Sequence, residues 1–334
     1  MQNRGESMLK AVDAYHELAT GNAVCDYSYH VIVTDPSEEQ MHVELPKLVE
    51  DGITSVKIYS TYPALQLSDT QIMDCLFAAR KYGVTTSASS FPSTASSSSS
   101  LPLSRALAHQ LPRATVVHAE NADMIAWMTK DLAARGMLAP IHHGTSRPPI
   151  VESEATNRVL ALSELMDCPV LFVHVSAPDA FAVIRAAQSR LMSVYAETCP
   201  HYLLLTADEM RRPNFEGAKA CCAPPLRDNP EDRERVWDST VNGTVTVLSS
   251  DHAPTKWSDP YGKQLGLTKA PGRPEGDFRA IPNGLPGVET RGPLMWSEGV
   301  CRGASLSLSP SPPLSLSPLF LSSCSPSFFP RYVF

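Results

Sequence analysis

The sequence predicts an α/β fold built on a parallel sheet, and three observations carry that expectation. Short runs rich in Val, Ile, Leu and Tyr recur between residues 27 and 254. They are nearly continuous rather than alternating, and amphipathic helical stretches separate them. Strands buried on both faces of a parallel sheet read this way. Repeated strand–helix units of this length imply right-handed crossovers, in either a barrel or an open doubly wound sheet.

In chain order, MQNRGESMLKAVDAYHEL is polar and helix-like rather than a secretory signal, with a helix expected over 7–20. YSYHVIVTD (27–35) and ITSVKIYST (53–61) are the first two strand candidates. LSDTQIMDCLFAARKYG (67–83) has helical spacing, with Ser68 or Asp69 as N-cap and Gly83 as the stop. TVVHAEN (115–121) is the third strand candidate. EATNRVLALSELMD (154–167) is helical, CPVLFVHVSA (168–177) extended, and APDAFAVIRAAQS (177–189) helical again. RLMSVYAETCP (190–200) and TVTVLSSDHAP (244–254) complete the series.

Two segments break the pattern. Residues 87–114 are Ser/Pro/Leu-rich without a usable period, where a strand–helix repeat needs only a few residues. Residues 304–334 share that composition. Both read as lying outside the fold, either as a disordered insertion and tail or as translated non-coding sequence. The barrel is therefore assigned to 1–86 and 115–303.

The 334 residues carry a formal charge of −7, with 43% hydrophobic and 19% charged residues. This mildly acidic chain has no dense Lys/Arg run, which argues against a nucleic-acid groove. No apolar stretch is long enough to cross a bilayer. The eight Cys have no framework spacing, so free thiols in a cytoplasmic protein are the expectation.

Four ionisable residues are embedded in, or end, apolar runs: Lys57, His118, His174 and Asp251. Such burial is costly without a partner. Each has an ordinary explanation alone: a satisfied core histidine, a snorkelling lysine, an aspartate capping a turn. Their order on successive strands changes the balance. In a barrel the strand C-terminal ends converge on one mouth. Two imidazoles, a carboxylate and a modified lysine there suit a divalent metal, zinc above all.

Several strings then resemble the dihydropyrimidinase/hydantoinase group of metal-dependent cyclic amidohydrolases. They are VKIYSTY, VVHAENADMIAWM, SRPPIVESEATNR, LFVHVSA, ETCPHYLLLT, APPLRDNPEDRERVW, SSDHAPTKWSDPYGKQ and IPNGLPGVETR, covering about 8–86 and 115–303. The resemblance implies an incomplete (β/α)8 TIM barrel and hydrolytic opening of a cyclic amide or imide ring. 5,6-dihydrouracil, giving N-carbamoyl-β-alanine, or a hydantoin would be the substrate. It implies two divalent ions bridged by carbamylated Lys57, with His118 and His174 on the more exposed ion and Asp251 on the buried one. Asp251 would also shuttle the proton. Tyr62 would donate to the oxyanion; without the resemblance it reads as a packed loop aromatic. Asn283 and the backbone beside Ala223 would hold the ring amide. By the same analogy the complete enzyme is a homotetramer. His142 and His143 read as loop residues, His252 as pointing away from Asp251, His201 as without a nameable partner, and Cys221 and Cys222 as packing residues.

The family's first strand carries a His-x-His pair, and no His-x-His occurs in this sequence. The expectation is that the chain begins inside the barrel, lacks two strands and most of a small β-sandwich domain, and is poorly stable and nearly inactive as it stands. Alternatives are an allantoinase- or dihydroorotase-like ring opener, or a non-catalytic scaffold relative. Tyr62 and IPNG favour the dihydropyrimidinase side.

Overall fold

The computed structural model describes residues 4–84, 115–259, 261–271 and 273–301. The segments assigned to 87–114 and 304–334 fall outside the described residues, apart from what the sequence says of them.

Six parallel strands lie side by side in chain order. They are β1 (Val31–Ile32), β2 (Val56–Tyr59), β3 (Thr115–His118), β4 (Val170–Phe172), β5 (Val194–Thr198) and β6 (Val247–Leu248). An open doubly wound sheet reverses its strand order at a switch point. This sheet never reverses, so of the two architectures the sequence left open, the progression is that of a barrel wall. The strands are shorter than the apolar runs that announced them, because most runs overhang the ladder at both ends.

The helices follow from their caps. α1 (Met8–Ala19) starts at Ser7, whose hydroxyl accepts from the Lys10 N–H. α2 (Leu45–Glu50) follows a turn of π-helix over Gln40–Glu44. α3 (Asp69–Tyr82) opens with a reciprocal capping box between Ser68 and Gln71 and ends at Gly83, φ 77°. α4 (Ala122–Ala134) is capped by Asn121. α5 (Ile141–Thr145) is a short turn. α6 (Pro149–Met166), α7 (Pro178–Ser189), α8 (Pro200–Leu204) and α9 (Pro230–Val241) each begin with proline, whose fixed φ and missing N–H suit a first turn. α6 starts five residues before the sequence suggested. α10 (Arg291–Leu294) precedes a π-helical turn over Met295–Cys301.

Strand residues alternate between two apolar layers. Val56, Ile58, Val117, Val170, Phe172, Val194 and Ala196 join the large core under the helices, with Ile72, Leu76, Phe181 and Ile184. Val116, Leu171 and Val173, with Tyr195 and Val247, form a small cluster on the opposite, inner face. Period-2 geometry puts Lys57, Tyr59, His118 and Glu197 on that inner face as well. A third cluster, including Cys199, Tyr202, Met210, Cys221, Cys222, Phe278 and Leu285, is built from the loops beyond the strands.

Candidate active site

The inner face is thinly apolar and ends in polar groups. His118 is the last residue of β3 and stands opposite Tyr59 in the register. Its ring stacks on Tyr59 at 5.5 Å and meets Tyr62 at 5.2 Å.

His174 reaches the same point by a different route. Val173 faces inward and Val175 joins the helix-side core, so the alternation slips between them. The slip sits at His174, which has a left-handed φ of 43°. Strict alternation would send this ring toward the helices. Instead it lies 4.5 Å from the His118 ring, edge to face. Both histidines are buried. Burial first, then His118 and Lys57, hold the His174 pKa well below the usual imidazole range. The ring is neutral, and its Nδ1 has no hydrogen-bond partner.

Lys57 is the second residue of β2, with Nζ 5.1 Å from the centre of the Tyr59 ring. Its charge acts on His174 and on Glu197 of β5. Glu197 accepts from Ser249 Oγ at 2.7 Å, and burial pushes its pKa up. Asp251, three residues past β6 and also at a left-handed φ of 42°, acts on Glu197 in the sense opposite to Lys57, raising its pKa. The structure thus brings Lys57, His118 and His174 together, while Asp251 acts electrostatically on Glu197. Among the described residues no group of three or more His, Cys, Asp or Glu could hold a metal ion.

Tyr62 lies just past β2, at φ 70°. Burial drives its pKa above the usual phenol value, against the pull of Arg147, so the hydroxyl keeps its proton. The Asn283 side chain pulls the same way as Arg147, and its own buried Oδ1 has no hydrogen-bond partner. Ala223 sits in a segment pinned from several sides. Cys221 O accepts from Lys263 Nζ at 2.6 Å and from Gly284 N at 3.1 Å. Cys222 O pairs with His143 Nε2 at 2.7 Å, and Pro224 O with the Tyr202 hydroxyl at 2.7 Å. Lys263 also holds Pro282 O at 2.7 Å, and Ala253 N bonds Leu285 O. The Ala223, Asn283 and Asp251 loops are therefore tied to one another.

Sequence reasoning missed a buried network behind these groups. His118 Nε2 lies 2.8 Å from Glu120 Oε2, which also takes Arg147 Nη1 at 2.6 Å. Burial pushes the Glu120 pKa up, but Arg147, His118 and Arg227 together outweigh it and hold it down at about 2. Arg227 pairs with Glu152 and donates to Arg147 O at 2.7 Å. Glu120, Arg147, Glu152 and Arg227 read as ordinary surface charges in sequence. The only available signal was HAEN itself, an acid two residues past a strand-end histidine.

His143 was expected in a loop and is instead buried on α5, its ring committed to Cys222 O. Burial lowers its pKa to about 3. His201 remains without a partner for its buried Nε2. His252 accepts from Gly287 N and Val288 N, so its ring serves the loop. Cys221 and Cys222 are buried and packed, as expected.

The chain is 36% identical to the D-hydantoinase of Ralstonia pickettii over 303 residues, 90% of this chain and 57% of that one. It is 35% identical to the Geobacillus stearothermophilus D-hydantoinase over 305 residues, 91% of this chain and 56% of that one. It superposes on a D-hydantoinase structure with a TM-score of 0.76 at 35% identity, over 92% of this chain and 58% of the other.

This chain is a homologue of the hydantoinases and dihydropyrimidinases.

The dihydropyrimidinase of Brevibacillus agri gives the same TM-score of 0.76 at 34% identity, over 91% of this hydantoinase homologue and 57% of that chain. No protein-family model matches. The hydantoinase homologue spans a little over half the length of the relatives it matches. No helix among its described residues is long and apolar enough to cross a membrane.

Proposed function

We propose that this site opens a cyclic amide or imide ring, of the dihydrouracil or hydantoin kind, by attack of water on a ring carbonyl. The observation that carries the reading is the meeting of His118, His174 and Lys57 at one strand mouth beside a protonated tyrosine.

The two imidazoles alone are too few for a metal site, and with Lys57 carbamylated the set would offer three ligands to one divalent ion. His174 offers a neutral ring with a buried, unpartnered nitrogen, and His118 has one nitrogen occupied by a carboxylate, the usual support for a ligating imidazole. Lys57, carbamylated by CO₂ with loss of a proton, would complete the set. A second ion would have only the carbamate and Asp251, which is too few. When bound, the ion would polarise the ring carbonyl and acidify water, and zinc suits these ligands.

The chain's own residues do the rest. The Tyr62 hydroxyl donates to the carbonyl oxygen as it becomes an oxyanion. Asn283 and the Ala223 backbone hold the ring's amide edge. Asp251 takes a proton from the attacking water and returns it to the leaving ring nitrogen, so the C–N bond breaks to give an N-carbamoyl amino acid from either substrate class. In the complete protein, by family analogy, four copies assemble and the compartment is the cytoplasm.

Zinc stoichiometry and dihydrouracil hydrolysis test this. The 334-residue chain is expected to bind one zinc, lost in His118→Ala and His174→Ala, and to turn over slowly. Two bound ions with brisk turnover would overturn the single-ion assignment. No zinc binding at all would overturn the hydrolase reading in favour of a scaffold.

A further inference from the structure

The Glu120–Arg147 pair is buried where burial is hard to justify by stability. Its side chains are 0% and 9% exposed. Buried ion pairs can often be replaced by apolar side chains at no loss of stability, so their placement asks for another reason. Here both groups face residues of the site. Glu120 Oε2 meets His118 Nε2 at 2.8 Å, and the Arg147 guanidinium lies 5.6 Å from the centre of the Tyr62 ring.

The Glu120 backbone is pinned, and its carboxylate is held through Oε2 alone, with Oε1 buried and unpartnered. The Glu120 N–H donates to Ser60 Oγ at 3.0 Å, and Ser60 Oγ donates in turn to Glu120 O at 2.9 Å. Arg147 holds the same Oε2 that His118 uses, and Arg227 fixes the Arg147 carbonyl. A carboxylate oxygen ringed by an arginine can only accept. His118 must therefore donate from Nε2, and in the neutral ring Nδ1 is left with its lone pair.

We propose that Glu120, seated by Arg147, is a positioning residue that selects the Nε2–H tautomer of His118 and so presents Nδ1 as the metal-binding nitrogen. The inference rests on the proposed metal site, and extends it by naming what prepares His118 before any ion arrives. The Arg147 guanidinium also stands over the Tyr62 ring, 5.6 Å from its centre.

Nitrogen NMR of the metal-free chain labelled at histidine tests the proposal, with the His118 signals assigned by their loss in His118→Asn. The parent chain is expected to show one His118 tautomer, protonated at Nε2. Glu120→Gln is expected to give a mixture and to weaken zinc binding about 10–100-fold in a chelator competition, the usual effect of losing such a partner. Since Glu120→Gln leaves Arg147 buried without a counter-charge, the double variant Glu120→Gln/Arg147→Met carries the same readouts in a charge-balanced core. A single Nε2–H tautomer that persists in both variants, with zinc affinity unchanged, would overturn the proposal. The tautomer is read without ion or substrate, so failure of the ring-opening reading would show separately, as a parent chain that holds the tautomer but binds no zinc.

Discussion

Three of the candidate residues, Tyr62, His174 and Asp251, have left-handed backbone conformations, at φ 70°, 43° and 42°. For side chains other than glycine each such residue costs about 1–3 kcal/mol, and such strain gathers at functional sites. At His174 the function is visible, since the turn redirects a ring that strand alternation would point at the helices. His118 and His174 were legible in sequence as ionisable groups ending apolar runs, but the turn at 174 was not, because histidine carries no conformational signature of the kind glycine does. Glu120 and Arg147 were illegible for another reason: their pairing spans 27 positions, and nothing local distinguishes them from solvated charges. Two predictions belong here. Tyr62→Phe removes the proposed oxyanion donor and is expected to lower kcat about 10²–10³-fold in steady-state assays, with zinc stoichiometry unchanged. Arg227→Met leaves Glu152 buried among Ser176 and Ala177 N–H groups without its cation. A loss of about 3–5 kcal/mol in urea unfolding is expected.

The elements most legible in sequence were those whose ends are chemically marked. α3 was bounded correctly at both ends because Ser68 and Gly83 are a cap and a stop with local physical causes. Ser68→Ala is expected to cost about 1 kcal/mol, read as a shift of the denaturation midpoint at constant slope. The strands were recognisable in kind but not in length: composition cannot separate a ladder from the extended loop that follows it, and β6 keeps only Val247–Leu248 of an eleven-residue apolar run. Loops around the mouth were the least legible, since main-chain donors and acceptors leave no mark on side-chain identity. Gly284 is the exception that sequence could have flagged. At φ 134° it packs so closely that an added Cβ would sit 2.3 Å from Ala253 O. Gly284→Ala is expected to displace the Asn283 loop, raising KM for dihydrouracil more than it lowers stability.

For the molecule as a whole, strand–helix alternation revealed the parallel sheet, and only the unreversed order of six strands separated a barrel wall from an open sheet. Buried histidine also sets the response to acid. The unfolded imidazole binds its proton near pH 6.5, whereas folded His143 does so only near 3. Between those values the unfolded chain holds more protons, so acid favours it. The stability is fully present above about pH 6.5 and falls as pH drops toward 3, by about 1.4 kcal/mol for each unit once below 6.5. His174 and His201 are held low as well, so urea titrations at stepped pH are expected to show at least this slope, and His143→Gln to reduce it. The sheet's own proportions carry a last consequence. β1 and β6 contribute two residues each, while β3, β4 and β5 are flanked by ladders on both sides. Peptide groups at the margins open by small fluctuations, and those at the centre only when much of the core lets go. Deuterium should therefore enter first at Val31 and Leu248 and last at Val117, Phe172 and Ala196, so that exchange runs inward toward the strands that lead to the two facing imidazoles.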